Sequence, residues 1–252
     1  MLSIDLSGRL ALVTGGSGEL GRTIVRTLAQ AGADIAIHFQ NNFKQADKLL
    51  DEVRAMGARA VTVHADVTKL DSVMAMRDRI RQTLGDPDII VNNAVIQYTW
   101  TCVLEQAAED YEDQFRSCVL HNVFMAKAFV PEMKHRKWGR IIGINTECAM
   151  LNMPNQSAYV SGKRGMDGVL RVLAREVGEY GITVNQVAPG YAITENKTDT
   201  SVQENYRKNV PLRRRGTDRE ISGVVAFLAS DLAGFITGAF VPVCGGNIMP
   251  AI

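Results

Sequence analysis

Short, nearly unbroken apolar runs alternate with helical patterns along most of this chain, and no other feature constrains its fold as strongly. "LALVTGG" precedes "LGRTIVRTLAQAG", "DIAIHF" precedes "QADKLLDEVRAMG", "AVTVHADV" precedes "DSVMAMRDRIRQTLG", and "DIIVNNA" follows. Strands this apolar suit a sheet covered on both faces, and their alternation with helices predicts βαβ units joined by right-handed crossovers. A helical pattern over "YEDQFRSCVLHNVFMAKAFVPEMKHR" leads to a strand "GRIIGIN". A helix through "SAYVSGKRGMDGVLRVLAREVGEYG" leads to "ITVNQVA", and "ISGVVAFLAS" leads to "FVPVCGG". The expectation is one α/β domain over residues 1–252: a doubly wound parallel sheet of about seven strands with helices on both faces. At 252 residues, 46% of them hydrophobic, the chain is long enough to fill such a core.

One stretch has neither strand nor core periodicity: "YAITENKTDTSVQENYRKNVPLRRRG", residues 191–216. A polar segment of that length after a strand end reads as a lid over a site or as a disordered loop. Lys and Arg total 28 against 27 Asp and Glu, a net charge of +1, so the electrostatic footprint of a nucleic-acid binder is missing. No run approaches the ~18 apolar residues of a membrane span, and the start has no basic-then-apolar leader pattern. A soluble cytoplasmic protein with neither nucleic-acid nor membrane partner is expected. Cys102, Cys118, Cys148 and Cys244 are scattered, without a CxxC pair or a histidine at ligand spacing, so neither a metal site nor a disulfide framework is expected.

Two patterns carry chemistry. In an open parallel sheet, ligands bind beyond the carboxyl ends of the strands, where the first βα turn offers backbone N–H groups and a helix N-terminus to a pyrophosphate. Residues 15–21, "GGSGELG", stand at that turn. Asp66 ends the third strand, where a carboxylate suits an adenine edge, and "NNA" ends the fourth. The end of the second strand offers His38, Phe39, Gln40 and Asn41, with no acid for the ribose hydroxyls, which favours NADP(H) and leaves NAD(H) as the second option. Its phosphate would rest on His38, on Gln40 to Asn42, and on Lys44. In "AYVSGK", Tyr159 and Lys163 stand at i and i+4 and share one helix face. A phenol ionises near ~10, and a neighbouring ammonium favours the phenolate, making the pair a usable acid/base.

"TGGSGELG", "ADV", "NNA", "YVSGK" and "PGYAIT", in this order and with the terminal "FLAS…ITGAFVPVCGG", resemble the short-chain dehydrogenase/reductase family over essentially the whole chain. The likeness is greatest to its 3-oxoacyl-acyl-carrier-protein reductase and ketoreductase branch. The resemblance implies a Rossmann-type, homo-oligomeric enzyme, dimer or tetramer, that interconverts a small-molecule carbonyl and a secondary alcohol. It implies that Gly15, Ser17, Glu19, Leu20, Gly21, Asp66, Val67, Asn93, Ala94, Pro189, Gly190, Ile193 and Thr194 border the cofactor. Tyr159 would protonate the carbonyl oxygen, while Lys163 lowers the phenol pKa and bonds the nicotinamide ribose. Thr146, thirteen residues before Tyr159, would replace the family's serine as carbonyl donor. Cys118 falls where the family has an asparagine that holds a water behind the lysine, with Asn122 one turn on as the alternative anchor.

Other positions depart from the family pattern. Its middle glycine is Glu19 here, expected to point away from the phosphates and to favour the helix dipole. Val95 and Cys244 replace a glycine and an acid. Gln97, Tyr98, Glu147, Cys148, Met153 and Tyr191 would line the substrate side, with Glu147 either bonding a substrate hydroxyl or amine or lying solvated in its loop. Arg213 to Arg215 would meet an acidic carrier or form an exposed salt-bridged turn. Two further functions stay open: a weakly active or inactive scaffold on the same fold, given Glu19, Val95 and Cys118, and an NAD-linked sugar or polyol dehydrogenase.

Overall fold

The computed structural model describes residues 3–195 and 203–250. Its strands are β1 (Leu10–Val13), β2 (Asp34–Phe39), β3 (Ala60–His64), β4 (Ile89–Asn92), β5 (Gly139–Ile144), β6 (Ile182–Pro189) and β7 (Phe240–Val243). They form one parallel sheet in the order β3-β2-β1-β4-β5-β6-β7. The helices are α1 (Glu19–Gln30), α2 (Phe43–Ala55), α3 (Leu70–Thr83), α4 (Ala108–Gln114), α5 (His121–Arg136), α6 (Cys148–Leu151), α7 (Ser157–Val177), α8 (Gln203–Asn209) and α9 (Asp218–Ala229). This is the expected doubly wound α/β architecture.

Alternation along each strand divides the core into two layers. Ala11 and Val13 of β1 pack with Ile24 and Leu28 of α1, Leu49 of α2 and Val225 of α9. Leu10 and Leu12 face the other way, toward Met76 and Ile80 of α3, Phe129 of α5 and Leu170 of α7. Both faces are covered, which is why the strand sequences read as continuous apolar runs.

The chain winds one way through β2 and β3 and the other way from β4 to β7. A crevice therefore opens between the carboxyl ends of β1 and β4. Thr14 fastens its floor, its hydroxyl accepting the N–H groups of Asn93 at 2.9 Å and Ala94 at 3.1 Å. Gly21 is obligatory in the turn above, because a Cβ there would lie 2.1 Å from the Gly15 carbonyl oxygen.

The single helix expected before β5 changes register instead, through a π-helical turn at Phe115–Leu120 between α4 and α5. Ser117 Oγ donates to Asp113 O, His121 Nδ1 pairs with Ser117 O, and Asn122 Nδ2 donates to Cys118 O. Each side chain engages the carbonyl four residues back, in competition with the ordinary helical ladder. Part of the polar segment 191–216 is also ordered: Ile193 bridges Thr217, and α8 lies within it. Residues 196–202 of the expected lid lie outside the described residues. Among the described residues no helix is long and apolar enough to cross a membrane.

Candidate active site

A cavity of about 680 Å³ begins at Gln40, Asn41 and Asn42, passes the turn from Gly15 to Gly21, and ends at Thr146, Tyr159 and Lys163. Gly15 takes φ +61°, and its carbonyl accepts the Gly18 N–H at 2.9 Å. The amides of Glu19, Leu20 and Gly21 open α1 and have no acceptor within it, so the turn presents an anion site.

Glu19 does not turn away from this groove. Its carboxylate accepts a hydrogen bond from the Thr194 hydroxyl and so spans to the loop after β6. The next residue of that loop, Glu195, bridges Arg22 and Arg26 of α1, both at 2.6 Å. Arg22 is buried and also holds the Ser17 carbonyl. Pro189, Gly190 and Thr194 border the cavity. Ile193 does not, because its N–H donates to Gly216 O at 2.8 Å and its carbonyl accepts from Asp218 N–H.

His38 needs correction as a phosphate ligand. It is buried, its Nδ1 accepts the Gly15 N–H at 2.9 Å, and its Nε2 faces the Ala65 carbonyl at 3.0 Å. Burial pushes its pKa down to about 4, so it is neutral and braces the turn. Gln40, Asn41 and Lys44 remain exposed, while the Asn42 side-chain Oδ1 caps α2 by accepting the Gln45 N–H. Asp66 and Val67 are not part of the cavity wall: Asp66 accepts from Thr68 and pairs with Lys69 at 3.1 Å.

At the other end, Asn145 organises the backbone. Its amide donates to Gln186 Oε1 at 2.7 Å and to Lys163 O at 3.2 Å, and its oxygen accepts the Thr146 N–H at 2.9 Å. Thr146 Oγ1 accepts the Cys148 N–H at 3.2 Å, which frees its one hydroxyl proton to be donated elsewhere. Lys163 is buried, with Nζ 2.6 Å from Ile144 O and 5.7 Å from the centre of the Tyr159 ring. Burial lowers the lysine pKa, and the Cys118 thiol opposes that shift. Burial also pushes the Tyr159 phenol well above its ordinary value, helped by the Cys148 and Cys118 thiols and opposed by a hydrogen bond with Thr146. Desolvation therefore sets the direction of the phenol's shift.

Cys118 is buried and its thiol faces Gln114 Oε1 at 3.8 Å. Asn122, the alternative anchor, is buried and engaged at both ends of its amide: its oxygen accepts from Asn92 Nδ2 at 2.7 Å, and its nitrogen donates to Cys118 O at 2.6 Å.

On the substrate side, Gln97 is exposed at the cavity wall, and Tyr98 Oη accepts the Tyr159 N–H at 2.7 Å. Glu147 is not solvated and does not line the cavity. It is buried, and its carboxylate accepts from Tyr206 Oη at 3.1 Å and Asn247 Nδ2 at 2.9 Å. Burial raises its pKa against those bonds. Tyr191 donates its N–H to the Tyr206 oxygen at 2.9 Å and sits under the Arg215 guanidinium at 3.9 Å. Arg214 makes the expected exposed pair with Glu220, whereas Arg215 is buried. Sequence reading passed over Asn145, Tyr206 and Trp100, whose ring stacks on Tyr159 at 5.8 Å. For Trp100 the available signal was an aromatic residue in "QYTW", directly after the strand end at the site.

The family described as Enoyl-(Acyl carrier protein) reductase matches residues 17–247. A 3-oxoacyl-[acyl-carrier-protein] reductase, FabG, of Pseudomonas aeruginosa is 37% identical over 98% of this chain and 100% of its own length. Nodulation protein G of Azospirillum brasilense is 34% identical over 96% of this chain and 98% of its own. Gluconate 5-dehydrogenase from Burkholderia cenocepacia J2315, solved in complex with NADP and tartrate, superposes with a TM-score of 0.90 at 31% identity, covering 97% of this chain and 96% of that one.

Proposed function

The chain belongs to the short-chain dehydrogenase/reductase family and is an oxidoreductase acting on CH–OH groups; on that premise we propose that it interconverts a ketone and a secondary alcohol with NADP(H). The observation that carries this reading is one continuous cavity, with the glycine turn in its middle and Thr146, Tyr159 and Lys163 at its end. The site fits the cofactor, since Gly21 lets α1 close onto the Gly15 carbonyl, where a Cβ would lie 2.1 Å away, and the first amides of α1 have no acceptor within the helix. NADP(H) is favoured by the missing acid at residues 38–42 and by the NADP complex of the superposed gluconate 5-dehydrogenase. Gln40, Asn41 and Lys44 would hold the ribose phosphate.

When bound, the nicotinamide supplies or accepts the hydride. The Tyr159 hydroxyl delivers the proton to the carbonyl oxygen, and the Thr146 hydroxyl beside it donates to the same atom. Lys163 stabilises the phenolate left behind. In this reading the chain is one domain, residues 191–195 and 203–216 border the substrate, and the chain assembles as a homo-oligomer.

Tyr159→Phe tests it. NADPH affinity should persist while turnover falls about 10²- to 10⁴-fold, the usual range for losing a general acid; full turnover in the variant would remove Tyr159 from the mechanism. A scaffold with little turnover is the second reading, favoured by the Glu19–Thr194 contact across the groove. Fluorescence titration with NADPH and with NADH separates the two, because absence of binding by either leaves only the scaffold.

A further inference from the structure

Thr146 is held from both sides along the chain. On one side Asn145 ties it to α7 and β6, through Lys163 O and Gln186 Oε1. On the other side stands Glu147, whose N–H donates to Pro189 O at 2.9 Å and whose carboxylate is buried. That carboxylate accepts from Tyr206 Oη of α8 at 3.1 Å and from Asn247 Nδ2, beyond β7, at 2.9 Å. None of these three side chains lines the cavity.

The same phenol also serves a residue that does line it. Tyr206 Oη accepts the Tyr191 N–H at 2.9 Å, and the two rings meet edge to face with centres 5.8 Å apart. A phenol has one proton to give, and here it goes to Glu147 while a lone pair takes the Tyr191 amide. The backbone is shaped for this approach. A Cβ on Gly190 would lie 2.5 Å from Tyr206 Oη, and one on Gly245 would lie 2.7 Å from Val210, just past α8. Thr146 and Tyr191, two parts of one cavity wall, are therefore joined through a single hydroxyl carried by α8.

We propose that Tyr206 is a positioning residue: seated on Glu147 and Tyr191, its hydroxyl fixes the carbonyl donor Thr146 relative to the Tyr191 wall, so that reduction depends on the docking of α8. The kinetic arm of the test rests on the reductase reading, and the exchange arm does not. Tyr206→Phe keeps the ring and removes the hydroxyl. With NADPH and whichever of cyclohexanone, acetoin and ethyl acetoacetate the unmodified protein reduces fastest, kcat should fall about ten- to a hundredfold, the range expected when a reacting group is misplaced by about 1 Å. The NADPH dissociation constant should stay within about twofold, since the lost interaction acts on the reacting geometry alone. Glu147→Leu should lower kcat similarly, and the double variant should be no slower than the slower single one, because both changes break the same chain of contacts. An unchanged kcat in Tyr206→Phe, a parallel loss of NADPH affinity, or losses that multiply in the double variant overturn the proposal. In ligand-free Tyr206→Phe, deuterium uptake should rise over residues 145–151 as well as over α8. A rise confined to residues 203–209 would make the hydroxyl an anchor of α8 alone and overturn the proposal. Should the unmodified protein reduce none of the three ketones, the reductase reading falls, and the uptake over residues 145–151 alone decides whether Tyr206 holds the wall.

Discussion

A carboxylate within a phosphate-binding turn has two opposing effects, and Glu19 shows both. At the first position of α1 it favours the helix dipole by about 0.5 kcal/mol. The same charge borders the groove proposed for a diphosphate, where like charges roughly 6 Å apart repel by about 2–3 kcal/mol before salt screening. Function and stability thus pull in opposite directions. Glu19→Gln should tighten NADPH binding about tenfold at low salt and less at high salt, while costing a few tenths of a kcal/mol of stability. An unaltered dissociation constant in both salts would clear the carboxylate of interference. His38 makes a second prediction at this scale. Its buried ring stays neutral down to about pH 4, against an ordinary value of 6.5, so the unfolded chain binds a proton that the folded chain refuses. The stability this provides is complete above pH ~6.5 and is lost toward pH ~4 at about 1.4 kcal/mol per unit. His121, held neutral to about pH 3 by burial, adds to the same slope. Urea midpoints should therefore fall between pH 7 and pH 5. His38→Gln, whose amide can offer both the acceptor for Gly15 and the donor for Ala65, should flatten the fall by about half; an unchanged slope would assign the acid sensitivity elsewhere.

Between elements, the decisive contact joins α8 to the end of β5. Tyr206 places one hydroxyl between the Glu147 carboxylate and the Tyr191 N–H, so the helix inside the polar segment hangs on a buried polar junction. Tyr206→Phe leaves both partners one bond short, at a cost of about 1–3 kcal/mol felt locally. Deuterium uptake over residues 203–209 should rise while the strands stay protected, and equal uptake would show that α8 is held by other contacts. This junction was not legible in the sequence, because Glu147 lies 59 residues from Tyr206 and 100 from Asn247. Nothing local marks it as buried. The strands were legible for the opposite reason: two-sided burial writes itself into contiguous apolar residues. His38 lay between these cases. Ile35, Ile37 and Phe39 enter one core layer and Ala36 the other, so strand parity sent His38 to a covered face that reading it as a strand-end ligand overlooked. The π-helical turn escaped as well, since side-chain competition for carbonyls leaves the apolar period of the helix almost intact.

At the scale of the molecule, the faces of α5 and α7 turned away from the sheet remain unpartnered in one chain. Between them runs a groove of about 430 Å³ lined by Val123, Ala126, Val130, Val169, Val172 and Leu173, with Lys127, Lys134 and Glu176 at its edges. Apolar patches with a polar rim usually mark association sites. Basic groups on one helix and an acid on the other suit an isologous interface, where a two-fold axis brings each lysine-bearing edge against the partner's acidic edge. The groove thus supports assembly through α5 and α7. The same α7 carries Tyr159 and Lys163, so packing against a second copy would stiffen the helix that holds the proton donor. Val172 is 56% exposed in the single chain, and Val172→Glu would set like charges facing one another across the axis. Light scattering should then show the mass of one chain where the unmodified protein shows a multiple, with thermal stability no longer rising with protein concentration. Turnover should fall further than NADPH affinity, because the glycine turn lies on α1 and is remote from this face. An unmodified protein that is already monomeric at micromolar concentration would defeat the assembly argument, and the apolar groove would then need another occupant.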